Sequence, residues 1–423
     1  MLTAEENDLL TLTGPSTPMG QLLRRYWIPA LFSHQLPEAD CPPLRVRLLS
    51  EDLVAFRDTN GAVALLDAHC PHRGASLFFG RNEECGLRCV YHGWKFDVHG
   101  NCVDMPNEPA ESNFKHKIKQ TAYPCEERGG IIWTYLGPAE LKPSVPVFQW
   151  SDLPEDHKFA TRRIQECNWF QGVEGGYDNT HVQFLHAWDH PRRHRMPRGF
   201  MANPIRKSEK VVTDYGLMFG GGFEVEPGQM NWTVSQLFMP FYKTVPRVTP
   251  GQPIGWHAWV PIDDQHCMCW SLEYMPEHPF GEEIEPSRTW HYIHAENIPG
   301  TDYPILNKDN DYGIDRERQR NKESYTGIKG VGMQDTAIQE SEGFIFDRTQ
   351  EHLGTADKAI INIRQHFFDM LELMKAGSAP TPPPGRSYGA RVESVTAGVD
   401  MPFAEAARHL LVPETAGVAV AVA

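Results

Sequence analysis

Two short blocks, His69-Cys70-Pro71-His72-Arg73-Gly74 and Cys89-Val90-Tyr91-His92-Gly93-Trp94, constrain this chain more than any other part of it. Each pairs a soft thiolate with an imidazole, and two such pairs on facing β turns supply four ligands to one compact metal centre. With 9 cysteines and 19 histidines, chance supplies roughly 0.4 occurrences of each spacing, so neither half carries weight alone. Their joint presence, 16 residues apart and with Gly74 and Gly93 close behind, does. Glycine lets the backbone approach closely, so amides can point at cluster sulfurs, and Pro71 and Trp94 would exclude water. Two fillings suit the ligands: one tetrahedral zinc, or a two-iron cluster with both cysteines on one iron and both histidines on the other. Cys85 lies near but fits no ligand spacing.

The blocks sit in a stretch, 41–140, that reads as a small all-β unit. Apolar runs at 44–49, 53–56, 63–66 and 131–136 are divided by turn signals such as Asn60-Gly61, His99-Gly100 and Gly129-Gly130. Ahead of it, residues 1–40 form an N-terminal helical segment, with a helix over 17–28 capped by Thr17 and started by Pro18. Proline-rich residues 138–154 read as a linker. Residues 155–375 mix a helix-like segment at 168–188, strands around 210–275 and a helix from about 355 to 375, an α+β unit on an antiparallel sheet. Residues 376–423 read as a Pro/Gly-rich connector and tail.

Charge and cysteine usage exclude some classes. A net charge of −15 disfavours nucleic acid and anionic membrane surfaces as partners. Nine scattered cysteines point to a reducing compartment and to metal chemistry over a disulfide framework. The acidic start, MLTAEENDLL, is unlike a secretory signal, and no run reaches the ~18 apolar residues of a membrane span. The expected location is the cytoplasm. Cys267 and Cys269, two apart on a strand, are expected in the core. Gly220-Gly221-Gly222 reads as a turn rather than a dinucleotide loop, so nicotinamide and flavin must be handled by another protein.

A second constellation lies at 168–186, NWFQGVEGGYDNTHVQFLH. His181 and His186 are five apart, about 140° around an ideal helix, and reach one metal only if the helix ends, bends or bulges. Gly175 and Gly176 make such irregularity plausible, and Asp178 is placed to hydrogen-bond an imidazole. His190 and His194, flanking Pro191, read as a solvated loop. A third, carboxylate ligand could be Asp335, Glu340, Glu342 or Asp347, and sequence physics alone does not separate them.

CPHRG followed by CVYHGWKFD resembles the Rieske motif, and NWFQGVEGGYDNTHVQFLH resembles the mononuclear-iron segment of Rieske oxygenases. With PMGQLLRRYW at 18–27, the similarity is to the phthalate-dioxygenase-like group and runs to about residue 360. The resemblance implies an all-β Rieske domain followed by a helix-grip-like catalytic domain. It implies a [2Fe–2S] cluster with Cys70 and Cys89 on the inner iron and His72 and His92 on the outer. It implies mononuclear Fe(II) on His181 and His186, with Asp178 as a carboxylate bridging to a neighbouring subunit's cluster. Residues 332–340 resemble the family's Asp-bearing helix, which favours Asp335, with Asp347 as runner-up. A separate NADH-dependent reductase and a homotrimer, or a hexamer of two, are implied as partners. The expected reaction is O₂-dependent hydroxylation of a small aromatic substrate, with a carboxylate that Arg206, Lys207, Lys243 or Arg247 could pair. O- or N-dealkylation is the alternative, and a Rieske electron carrier without oxygenase chemistry is the rival from another class.

Overall fold

Burial alternates along Leu44–Leu48, as it must in a strand with one face on a core. Leu49 and Ser50, both at positive φ (49° and 66°), then turn the chain straight back into Glu51–Arg57. The computed structural model of the chain describes residues 1–109, 111–186, 207–247, 251–281, 292–378 and 393–411. Contacts divide these into two units, one of residues 12–145 and one of residues 1–11, 146–378 and 393–411. The 1–40 segment is thus shared between the units. His190, His194 and Arg206 lie outside the described residues, as does most of the expected connector and tail.

The first unit holds a six-stranded antiparallel sheet in the order Trp27–Phe32, Ile131–Tyr135, Ala122–Arg128, Val63–Asp67, Glu51–Arg57, Leu44–Leu48. The expected helix over 17–28 is shorter, Pro18–Leu23, capped as anticipated by Thr17 Oγ1 on the Gly20 amide. It stops because Trp27 and Ile28 pair with Tyr135 and Thr134, and backbone pairing outweighs helical periodicity. Pro29 is tolerated because this strand is a sheet edge and carries a bulge. A second sheet of four very short strands, Arg81–Asn82, Leu87–Arg88, Lys95–Phe96 and Cys102–Asp104, follows. Val54, Phe56, Leu66, Leu77, Leu87 and Phe96 form one core with Cys70, Cys89 and Trp94.

The second unit is built on eight antiparallel strands. Lys158–Gln165, Cys267–Tyr274, Ile254–Pro261, Tyr242–Val245, Gln229–Phe238, Gly216–Glu226 and Lys207–Val212 lie in that order, and Val395–Gly398 also pairs with Gln229–Phe238. The C-terminal segment therefore completes the sheet. Gly220-Gly221-Gly222 is not a turn but the middle of a strand, where the ring of Phe403 and that of Trp232 occupy the space of the missing side chains at 220 and 222. Cys267 and Cys269 are fully buried, as expected.

The helix expected over 168–188 covers only Trp169–Tyr177 and ends at Asp178, whose ψ of 110° is extended. Its glycines do not supply irregularity; they permit contact. A Cβ at Gly172 or Gly176 would sit 2.2 or 2.4 Å from the Trp259 ring, and one at Gly175 would sit 2.2 Å from Gln339 Nε2. The helix thereby lies tight on strand Ile254–Pro261 and on helix Val331–Ser341. Helix Lys358–Lys375 closes over it, with Phe367 edge-on to Trp169 and Phe170 at 5.5 and 5.4 Å. Among the described residues no helix is long and apolar enough to cross a membrane.

Buried charge ties these helices together. Glu174 receives Arg348 Nη2 and Arg364 Nε at 2.6 Å each, Arg348 also donates to Asn7 Oδ1 at 3.0 Å, and Arg364 pairs with Glu351. Arg348 is fully buried. Removing one partner of such a pair strands a charge, so Glu174→Gln should cost about 3–5 kcal/mol of stability in a urea titration; a loss below about 1 kcal/mol would count against the network as a stabilising element.

Candidate metal centres and active site

The two Cys/His loops of the first unit are built alike. The Cys70 amide donates to Ala75 O at 2.8 Å and Gly74 N returns to Cys70 O at 2.9 Å; the Cys89 amide donates to Trp94 O at 2.8 Å and Gly93 N returns to Cys89 O at 2.9 Å. Gly74 and Gly93 take φ of 74° and 80°, a region open to glycine at little cost. Each loop presents its cysteine inward and its histidine outward. Cys70 and Cys89 are 2% exposed and the Cys89 thiol is the neighbour of Cys70. His72 and His92 are half-buried, with ring centroids 4.4 Å apart, and Trp94 stacks on His72 at 4.3 Å. Burial pushes the Cys70 thiol up to about 11, against the pull of the His72 amide. Cys85 is turned to the amide of Asn60 and takes no part.

The four groups fit a two-iron cluster better than zinc. Ligand atoms on a single tetrahedral ion stand about 3.3–3.9 Å apart. Among the described residues, the one set of three donors within 4.8 Å of one another is His181, His186 and Asp335, so no three of Cys70, His72, Cys89 and His92 converge that closely. Thiols gathered on one side and imidazoles on the other suit a cluster in which they hold different irons.

In the second unit the helix ends before His181, a 3₁₀ turn covers His181–Gln183, and the chain folds back so that both imidazoles meet. His181 Nε2 and His186 Nε2 are 3.2 Å apart, and Asp335 Oδ1, from helix Val331–Ser341, is 3.4 and 3.1 Å from them. Three donors bound at about 2.1 Å with angles of about 90–105° would be about 3.0–3.3 Å apart, so this is one face of a coordination sphere. Gln334 Oε1 accepts from His186 Nδ1 at 2.7 Å while its amide donates to Ile328 O, which aims Nε2 at the other donors. Asp178 Oδ2 lies 3.5 Å from His181 Nδ1, and its other oxygen accepts from the amide and hydroxyl of Thr180. Burial works to raise the Asp178 carboxyl, but His181 and Thr180 outweigh it and hold it at about 2. Burial is likewise overcome at Asp335, which His186 and His181 hold well below the usual carboxylate range.

The other carboxylates are engaged elsewhere. Glu340 accepts from the Glu166 amide and the Tyr312 hydroxyl, Asp347 caps Thr349, and Glu342 faces Glu174 and is pushed up to about 7 by burial and that neighbour. Asp335 alone of the four candidates joins the histidines.

A cavity of about 160 Å³ opens beside these donors, lined among others by Lys243, His257, Trp259, Ser235, Arg163 and Glu273. Of the candidate cations among the described residues, only Lys243 reaches it. Lys207 donates to Val399 O, and Arg247 forms a two-pronged pair with Glu277. Lys243 donates to Gly176 O, and burial pulls its ammonium down to about 8 against Asp335 and Asp178. Burial, with Lys243 and Arg163, holds His257 down at about 3, so this imidazole is neutral. The sequence reading missed Gln334, Arg163, His257 and Glu273. Arg163, His257 and Glu273 point inward through strand alternation, visible in sequence only once the register is known, and Gln334 precedes Asp335 on a helix without distinguishing itself.

Paired Cys/His loops on a small β unit, and a two-histidine, one-carboxylate face on a helix-covered antiparallel sheet, define a Rieske-type oxygenase. The family comparisons agree: residues 26–123 match the Rieske [2Fe-2S] domain and residues 256–392 the LigXa C-terminal domain like family. The chain is 35% identical to the 3-chlorobenzoate-3,4-dioxygenase oxygenase subunit of Comamonas testosteroni, over 91% of this chain and 92% of that one. It is 36% identical to the phthalate 4,5-dioxygenase oxygenase subunit of Pseudomonas putida, over 90% and 88%. A solved structure of Pseudomonas putida NdmA, a QL mutant with caffeine, has the same fold, with a TM-score of 0.61, 20% identity and coverage of 87% and 98%. The chain belongs to the Rieske non-haem iron aromatic-ring-hydroxylating oxygenases, as an oxygenase component of the phthalate-dioxygenase-like group. It is therefore an enzyme, a Rieske non-haem iron oxygenase with a [2Fe–2S] cluster and a mononuclear iron. The carrier-only reading is set aside.

Gln334→Leu should keep the cluster's visible absorbance but weaken metal binding at His181, His186 and Asp335 by about 10–100-fold, read as iron retained against a chelator. Wild-type retention would mean that Gln334 does not orient the ligand.

Proposed function

We propose that the chain hydroxylates an aromatic acid, holding the substrate carboxylate on Lys243 in the cavity beside a mononuclear iron bound by His181, His186 and Asp335. The single observation that carries this reading is the convergence of those three donors on one wall of a cavity that Lys243 also lines. Cys70 and Cys89 would hold one iron of the cluster, His72 and His92 the other. The reductase is NADH-dependent, the assembly a homotrimer or a pair of them, and the location the cytoplasm; the oxygenase-subunit names of the relatives support a separate reductase, the resemblance of the sequence motifs its NADH dependence and the trimer, and the cysteine usage the cytoplasm.

When bound, the mononuclear iron supplies the site at which O₂ is reduced. The chain's own residues do the rest. Gln334 fixes the tautomer and direction of His186, and the Asp178 carboxylate, 3.5 Å from His181 Nδ1, favours a proton on that nitrogen, so both imidazoles offer Nε2 to the metal. Lys243 pairs with the substrate carboxylate, a charge-assisted bond strengthened by exclusion of water. Trp259, packed on Gly172 and Gly176, gives the ring an apolar wall. Asp178, which touches His181 at the edge of the donor set, would carry the link to a neighbouring subunit's cluster.

The test is a metal count and a single turnover of dithionite-reduced protein with O₂. The panel holds benzoic and phthalic acids, their amides, and methoxy- and N-alkyl aromatics. About three irons per chain and hydroxylated acid, with the amide a poor substrate, are expected. Lys243→Met should erase the preference for acid over amide; preference for the methoxy or N-alkyl compounds would replace ring hydroxylation by dealkylation. Asp178→Asn should keep all irons yet slow electron arrival at the mononuclear site at least about tenfold in stopped-flow, and an unchanged rate would remove its assigned role.

A further inference from the structure

The sheet floor of the cavity holds two ionisable side chains that neither bind metal nor anchor a carboxylate. Glu273 is 1% and His294 0% exposed. Glu273 sits on strand Cys267–Tyr274, across from Gly255 on one side and Phe159 on the other, and its side chain lines the cavity. His294 Nε2 stands 3.6 Å from Glu273 Oε2, and His294 Nδ1 is 2.6 Å from Thr161 Oγ1. Thr161, on the neighbouring strand, is partly exposed. One imidazole thus lies, through its two nitrogens, between a carboxyl on the cavity and the hydroxyl of a partly exposed threonine. Burying an ionisable pair costs several kcal/mol per charge where apolar residues of like volume would pack for less, so structure alone is a poor account of it.

The reaction has a use for such a path. Hydroxylation of RH by O₂ consumes two electrons and two protons and gives ROH and water; dihydroxylation consumes the same and keeps both oxygens in the product. The reductase supplies the electrons, and the protons must come from solvent to the oxygen beside the metal donors. We infer that Thr161, His294 and Glu273 form a conduit that carries those protons from solvent to the cavity. This rests on the oxygenase function proposed above. Thr161 takes a proton from water as it donates its own to His294 Nδ1. His294 releases the proton on Nε2 to the Glu273 carboxylate, Glu273 passes it to oxygen in the cavity, and the imidazole resets by tautomer exchange. The 3.6 Å gap closes to hydrogen-bond length with a shift of about 0.5 Å, the amplitude of ordinary side-chain motion. Among the described residues, the charged or titratable groups around them include Arg163, bonded to Thr336, Ser271 and the carbonyls of Ile293 and Gly332, His257, bonded to Ser271, and, lining the same cavity, Lys243, Asp335 and Cys269.

The test uses the full chain with its irons bound, free of O₂ and substrate. After mixing into D₂O, infrared spectra follow N–H to N–D exchange at the buried His294 ring, assigned as the band missing from His294→Phe. Thr161→Val should slow that exchange at least about tenfold and enlarge the solvent isotope effect on single turnover, with iron content and substrate affinity unchanged; Thr161→Ser should restore both. Wild-type exchange in Thr161→Val overturns the conduit. Because exchange is read without chemistry, that result would leave the oxygenase function standing, and a chain that hydroxylates nothing in the panel would still report on the conduit.

Discussion

The contact of helix Trp169–Tyr177 with the sheet is the constraint on which the catalytic unit depends. Gly172 and Gly176 bring the helix axis so close to Trp259 that no side chain fits between, and Gly175 does the same toward Gln339. Glu174, on the same helix, is fixed by two buried arginines. With both faces pinned, the point at which the helix ends is pinned too. Asp178, His181 and His186 therefore leave it at a defined place beside Asp335, on a helix seated against the same glycine face. Metal sites tolerate little play, and a ligand set on the first turn beyond a rigid helix inherits that helix's precision.

The Cys/His loops reach a similar end by other means. Neither has a long element beneath it; the strands on either side of Cys89 are two residues each. Rigidity comes from two hydrogen bonds repeated in both loops, from a positive-φ glycine in each, and from a core into which the thiols are packed. The sorting of sulfur inward and imidazole outward follows from that packing, and it leaves the histidines at the edge where electrons can pass.

Much of this was legible in the sequence, for reasons that differ by residue. Thiolate and imidazole at short, doubled spacing have few uses other than metal binding, so the cluster ligands were plain. The antiparallel character of both units followed from short apolar runs between turn signals. The errors arose where periodicity met tertiary contact: helix 17–28 gave way to the pairing of Trp27 with Tyr135, the helix expected over 168–188 ended at Tyr177, and three consecutive glycines proved to be part of a strand that makes room for Phe403 and Trp232. In each case local propensity, worth a few tenths of a kcal/mol per residue, yielded to a packing contact worth more.

The sequence by itself determined which side chains could bind metal, and its resemblance to the Rieske oxygenases implied two iron centres fed with electrons from outside the chain. The approach of Asp335, which the resemblance had favoured and spacing had not, the contact of Gln334 with His186, and the separation of Lys243 from Lys207 and Arg247 are seen only in the tertiary structure. Coordination and ion pairing are set by distances of a few ångströms between residues scores of positions apart. Such distances depend on register and helix placement, which no local pattern encodes.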